Sequence, residues 1–118
     1  MEPFLTILIL LQFKHWYIDF VNQSDEEVKY KGQYLDWRGI KHSLKHGIVT
    51  GAIFLLWLDL PSAVVVGLID FVLHYHIDWT KMNYGNRNIQ NKEFWMHLGL
   101  DQMAHQLTYT GLVALMIL

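Results

Sequence analysis

The chain of 118 residues has no cysteine, only two prolines and no surplus of charge of one sign. Without cysteine there is no disulfide framework and no thiolate metal site, so any metal must be held by nitrogen and oxygen ligands. A formal charge of -2 and a pI near 6.3 provide no broad cationic field, which argues against nucleic acid as a partner. Long charge-free runs are scarce as well. The stretches PFLTILILLQF, GIVTGAIFLLWL and PSAVVVGLI are short, and a mean hydropathy of +0.17 is low for an ordinary membrane protein, so a soluble four-helix bundle stands beside the membrane reading. There is no repeat at solenoid period and no low-complexity linker, and the length fits a single domain. What the chain does have is 53% hydrophobic residues against 17% charged, and seven histidines.

Four segments have helical character. The first runs from about residue 3 to 21, and it is closed by Asn22, Gln23 and Ser24. It lacks the basic start and small-residue cleavage site of a secretory signal, so it is expected to be a retained helix. The stretch DEEVKYKG that follows reads as a solvated loop or a short surface helix. The second segment covers 36–59, with Asp36 as its N-cap. Pro61 suits the first turn of the third, 61–81, and the turn-rich NYGNRNIQN leads into the fourth, 92–118.

At 1.5 Å per residue such segments reach roughly 28 to 40 Å, enough to cross a bilayer. Lys29, Lys31, Arg38, Lys41 and Lys45 fall at the first connection and Lys81, Arg87 and Lys92 at the third, while LDLPS in between has no basic residue. The positive-inside rule then predicts an all-α, up-and-down transmembrane bundle with both basic connections cytoplasmic and both termini on the other side. Trp16, Tyr17, Trp37, Trp79 and Trp95 cluster at those same ends, as an interfacial aromatic belt would.

Each segment also carries a pair of potential ligands four residues apart, which places both on one helix face. The pairs are His15 and Asp19, His42 and His46, His74 and Asp78, and Asp101 and His105. Their depths agree. His46 and His42 lie 13 and 17 residues from Asp59, His74 and Asp78 lie 13 and 17 from Pro61, and His105 and Asp101 lie 13 and 17 from Leu118. His15 and Asp19 lie 14 and 18 residues from Met1. The expected arrangement is two stacked layers, a deeper one of His15, His46, His74 and His105 and a shallower one of Asp19, His42, Asp78 and Asp101. Buried imidazoles and carboxylates are costly unless paired or coordinated, and eight ligands suit two divalent ions. Zinc, iron and manganese all accept such ligands. A hydrogen-bonded network or proton relay is the bland alternative.

Four further residues are candidates for supporting contacts. Asp70, one turn below His74, could orient that imidazole or merely pack. Gln23 and Gln102 could hydrogen-bond substrate or ligands, and Lys81 could meet an anionic headgroup or anchor the interface. His76 points away from the His74 face and His97 lies one turn outside Asp101, so neither is expected to be a ligand. Gly47 and Gly51 form a GxxxG pair that permits close helix packing.

The ordered motifs HWYIDFVNQ, HSLKHG, HYHIDWTK and DQMAH cover nearly the whole chain. In that order they resemble the small membrane proteins of bacteria and phages known as domain of unknown function 3307. The resemblance implies a polytopic membrane protein of phage or bacterial type and supplies no reaction, and the expected location is the bacterial inner membrane, crossed several times. A looser likeness to membrane-bound metal-dependent hydrolases points the same way as the residues. A dinuclear centre with Asp19, Asp78 and Asp101 on the side open to substrate could hydrolyse a phosphoester or a lipid headgroup. The same ligands would serve a di-iron oxidoreductase, or a protein without catalysis that binds metal, relays protons or contacts a host partner. Whether the bundle closes within one chain or across a homodimer is open at this stage.

Overall fold

The computed structural model describes residues 2–117. It is all-α, with helices α1 (Glu2–Trp16), α2 (Asp25–Tyr30), α3 (Trp37–Phe54), α4 (Leu60–Tyr84) and α5 (Lys92–Leu115) and no strand among the described residues. A π-helical turn, Tyr17–Val21, prolongs α1. Short polar side chains open the later helices by accepting amide protons that the helix itself leaves unpaired. Ser24 accepts from Glu27, Asp36 from Arg38, Asp59 from Ser62 and Asn91 from Glu93. Pro61 stands in the first turn of α4, where its missing N–H is not needed.

The helix ends differ in places from the sequence pattern. α3 gives way at Phe54, because Leu55 to Leu58 tighten into turns, with Trp57 N donating to Phe54 O at 3.0 Å, to bring Asp59 to the start of α4. α4 continues past Lys81 to Tyr84 and stops at Gly85, whose N–H donates to Lys81 O at 2.8 Å. α5 ends at Leu115, and the expected endpoint Leu118, like Met1, lies outside the described residues. DEEVKYKG is the short helix α2, lying on α3.

The four long helices form a closed ring in which α1 touches α3 and α5, and α4 touches the same two. Neighbours run antiparallel, as Lys14 beside His46 with Asp19 beside His42, and Asp78 beside His105 with Lys81 beside Asp101, make plain. The tightest approach is between α3 and α4. A Cβ at Gly67 would stand 2.7 Å from Gly47 O, so only glycine permits this backbone separation.

The interior has two zones. Ile7, Leu11, Phe54, Val66, Tyr109, Leu112 and Val113 pack together toward the α3–α4 turn. Toward the opposite, basic end the interior is polar. Among the described residues thirteen buried side chains are polar or charged and ten are hydrophobic, while Phe13, Leu56 and Leu68 are 66%, 68% and 54% exposed. That is the reverse of the partition in a soluble bundle. Two helical segments, Pro3–Val21 and Leu60–Tyr84, are long and apolar enough to cross a membrane.

Candidate metal centre

The polar zone is built from one face of each long helix. Residues four apart repeat along His42, His46 and Thr50 on α3, Asp70, His74 and Asp78 on α4, and Asp101, His105 and Tyr109 on α5, and all nine are buried. His15 at the end of α1 and Asp19 in the π-helical turn complete the ring.

Asp19 is the hub. Its Oδ1 lies 2.7 Å from His46 Nε2, 3.1 Å from His42 Nε2 and 3.9 Å from His74 Nε2. Asp78 is a second hub, with Oδ2 at 3.2 Å from His74 Nε2 and 3.6 Å from His42 Nε2, and Oδ1 at 3.1 Å from His105 Nε2. The rings of His46, His74 and His105 stack in a column with centroids 3.7 and 4.0 Å apart. Two overlapping sets of side chains could therefore hold a metal ion. They are Asp19, His42, His46 and His74, and then His74, Asp78 and His105, each with its ligand atoms within 4.8 Å of one another.

These sets lie side by side and share His74, whereas the sequence pattern suggests stacked layers. The direction of the Cα–Cβ bond explains the difference, since side chains tilt toward the start of their helix. α1 and α4 run toward the basic end, so Asp19 and Asp78 lean back to the depth of the histidines. α3 and α5 run away from it, so His46 and His105 lean up to meet them. Asp19 therefore meets His46, and Asp78 meets His105, between the two expected levels.

Six of the eight expected ligands fall in the two sets, and His15 and Asp101 stand beside them. His15 shares hydrogen bonds with Tyr109 Oη at 2.8 Å and Gln102 Oε1 at 2.6 Å, and lies 3.2 Å from Asp19 Oδ2. Asp101 lies 3.5 Å from His105 Nε2 and accepts a hydrogen bond from Gln102 at 3.1 Å. Gln23 donates to the Asp19 carbonyl at 2.7 Å and accepts from Lys31 at 3.0 Å. Lys81 Nζ lies 3.7 Å from Asp101. Asp70 does not orient His74. It accepts instead from Thr50 Oγ1 at 2.5 Å and from Lys14 Nζ at 3.2 Å, because the α1 lysine reaches across the ring and captures it. His76 bonds to Tyr34 on the outer face of α4, and His97 accepts from the Asn86 amide.

Four charged or polar residues at the site escape the spacing argument or extend it. Lys14 is buried within the apolar run of α1, and Tyr109 continues the α5 face by one more turn. Glu27 and Lys31, from the stretch read as solvated, are buried because α2 folds back over the basic end, placing Glu27 Oε1 3.3 Å from His42 Nδ1 and Lys31 Nζ 3.8 Å from Asp78. Burial pushes the Glu27 carboxyl up. Hydrogen bonds from Lys45 at 2.7 and 3.0 Å and its charge, with His42 adding, outweigh that and hold the carboxyl below the ordinary glutamate range.

Two observations test whether this donor set suits a cation. Asp70 pairs with Lys14 and Glu27 with Lys45, and Asp78 and Asp101 each have a lysine within 4 Å, but among the described residues Asp19 pairs only with imidazoles. In addition, His42 Nε2, both ring nitrogens of His74, Asp78 Oδ2 and Asp101 Oδ1 are buried without a hydrogen-bond partner among the described residues. Buried polar atoms are rarely left so. Nitrogen and carboxylate donors converging in this way fit a divalent transition metal.

No curated protein and no solved structure matches the chain. A family model described as Protein of unknown function (DUF3307) matches residues 7–117, nearly the whole chain, and the protein belongs to that family.

Proposed function

We propose that the protein is a four-span membrane protein of the bacterial inner membrane that holds two divalent metal ions at its cytoplasmic end and hydrolyses a phosphoester or lipid headgroup there. The observation that carries this reading is the Asp19 carboxylate, ringed by nitrogens of four imidazoles and lacking a lysine or arginine partner among the described residues. A buried carboxylate with only imidazoles for neighbours is costly, and a bound cation lowers that cost. Support for the membrane comes from the polar interior, the apolar exterior and a long dimension of 43 Å, close to the full thickness of a bilayer with its headgroups. With the basic connections inside, both termini face outward.

Asp19, His42, His46 and His74 would hold one ion, and Asp78 and His105, with Asp101 beside them, the other. The His74 Nε2 lone pair serves only one of the two. Bound there, such ions supply Lewis acidity to a phosphoryl oxygen and acidify water. The chain's own groups do the rest. Glu27 holds His42 from behind, Gln102 spans His15 and Asp101, and Gln23 ties Lys31 to the backbone of Asp19. Lys31 and Lys81 place positive charge beside Asp78 and Asp101, where an anionic substrate would approach.

Elemental analysis of detergent-purified protein is the test. About two ions per chain are expected in the wild type, as in other dinuclear sites, with Asp19→Ala and His74→Ala losing most of the metal and Thr108→Ala losing none. Wild-type protein with well under one ion per chain, purified without chelators, would overturn the reading.

A second reading has one specific observation in its favour. Hydrogen bonds run without a break from Thr50 through Asp70, Lys14, Tyr109, His15 and Gln102 to Asp101. Such a chain suits a proton relay. Proton flux across vesicles containing metal-free protein, abolished by Tyr109→Phe, would favour it over hydrolysis.

A further inference from the structure

Two cavities meet beside the candidate centre. The first is a groove of about 500 Å³ between α4 and α5, walled by Leu73, Ile77, Leu100 and Ala104 and reaching Lys81 and Asp101 at its upper end. The second, of about 320 Å³, is framed by Gln23, Lys31, Lys81, Arg87 and His97 and has no carboxylate in its lining. Lys81 and His97 belong to both, so the apolar groove adjoins the cationic pocket.

We infer that this pair of cavities binds a phosphate-bearing amphiphile, the phosphate in the cationic pocket and the hydrocarbon tail in the groove. The inference rests on the hydrolase reading and names its substrate class.

The charge arrangement selects the head. Lys31 and Lys81 approach Asp78 and Asp101 only to 3.8 and 3.7 Å, too far for hydrogen bonds, and Lys31 gives one proton to Gln23 at 3.0 Å, so each ammonium keeps donors for a ligand. With Arg87 they place three cations around a pocket that lacks an acidic wall, which suits an anion of more than one charge. Asp101, on the wall of the groove, is 3.5 Å from His105, so a head bound at Lys81 lies next to the ligand cluster.

The groove selects the tail. From Leu73 to Tyr84 it follows about 16 Å of α4, at 1.5 Å per residue. It opens to the outer surface, where Leu73 and Leu100 are 44% and 56% exposed. Its apolar end points away from the basic connections. A lipid of the cytoplasmic leaflet has the same orientation, head at the basic end and tail toward the bilayer middle, so it can enter sideways without turning over. A soluble phosphoester would make no use of the groove, and a lipid that merely coats the helices would make no use of the cations at its end.

The test is calorimetric titration of the full chain in nonionic detergent with three probes, namely dihexanoyl phosphatidate, inorganic phosphate and dihexanoylglycerol. Phosphatidate should bind at least tenfold more tightly than either of the others. Ala104→Trp, which fills the groove, and the milder Leu100→Gln should each weaken phosphatidate several-fold or more and leave phosphate unchanged. The double variant Lys81→Gln with Arg87→Gln should weaken both phosphatidate and phosphate. Equal binding of phosphate and phosphatidate, or no effect from either groove variant, overturns the tail site. Equal binding of dihexanoylglycerol and phosphatidate overturns the head site. Metal content measured on the same samples separates the two readings. Metal-loaded protein that ignores phosphatidate overturns this assignment alone, and metal-free protein that binds it supports the assignment while removing the metal.

Discussion

Lys14 Nζ lies 2.9 Å from His46 Nδ1, so a lysine near the end of α1 sets the state of a histidine on α3. The same ammonium donates to Asp70 at 3.2 Å and Tyr109 Oη at 2.9 Å, which uses all three of its protons. With Nδ1 accepting, the ring proton of His46 stands on Nε2 and donates to Asp19 at 2.7 Å. One buried cation thus orients the imidazole that touches the hub of the site.

Replacing that cation should be severe. Lys14→Met leaves Asp70 buried without its charge partner, and breaking a buried pair in this way costs about 3 to 5 kcal/mol. Lys14→Met combined with Asp70→Leu should recover a large part of the loss. Thermal unfolding in detergent reads both, and a double variant no more stable than the single one would contradict the pairing.

Ion uptake should release protons. A metal that takes His46 Nε2 sends the ring proton to Nδ1, and the Lys14 ammonium that donates there must then give up one proton, so affinity rises with pH, about tenfold per unit for each proton released. Zinc titrations in two buffers of different ionisation enthalpy count the protons. A pH-independent affinity between 6 and 8 would mean that His46 does not take a metal at Nε2 with Lys14 held at its Nδ1.

The cap formed by α2 should weaken in acid. The Glu27 carboxyl is held below its ordinary range in the folded chain, so its contribution is complete above the ordinary glutamate value of about 4.3 and is lost as pH falls through the depressed one. Amide exchange over residues 25–31 should therefore speed up relative to the rest of the chain as pH falls from 6 to 3, after correction for intrinsic rates. Glu27→Gln should exchange rapidly at every pH, and an unchanged profile in that variant would remove Glu27 from the cap.

Two glycines make an internal comparison. Gly67→Ala drives a methyl against Gly47 O and should destabilise by about 1 to 3 kcal/mol. At Gly99 an added Cβ meets nothing within 4 Å, so Gly99→Ala should be neutral or slightly stabilising through helix propensity. Equal effects at the two positions would show that α3 and α4 are not packed at this separation.

Much of the helix pattern and the site could be read from the chain because both rest on local spacing. Pairs four apart mark a helix face wherever the helix sits, and continuing those pairs by one turn would have added Thr50 and Tyr109. Asp36 and Pro61 mark helix starts because capping is settled by neighbouring residues. Lys14, Glu27 and Lys31 are different. Their roles depend on which helix crosses which, and nothing in FKH or DEEVKYKG distinguishes a buried cation or carboxylate from a solvated one. The pairing of Asp70 is hidden for the same reason, since its spacing to His74 says nothing of Lys14 on another helix. The meeting of Asp19 with His46 and of Asp78 with His105 follows from helix direction, which alternates along the chain and turns the Cβ tilt of successive helices opposite ways.

That every long helix supplies part of the centre bears on how the molecule is made. Chains leave the ribosome from the N-terminus, and α5, which carries Asp101, His105 and Tyr109, emerges after the other three. Until it arrives, Asp78 lacks its contact with His105, Lys14 lacks Tyr109, and the interior face of α4 stands open along one side. Docking of α5 is therefore the step that closes the helix ring and completes its ligand set.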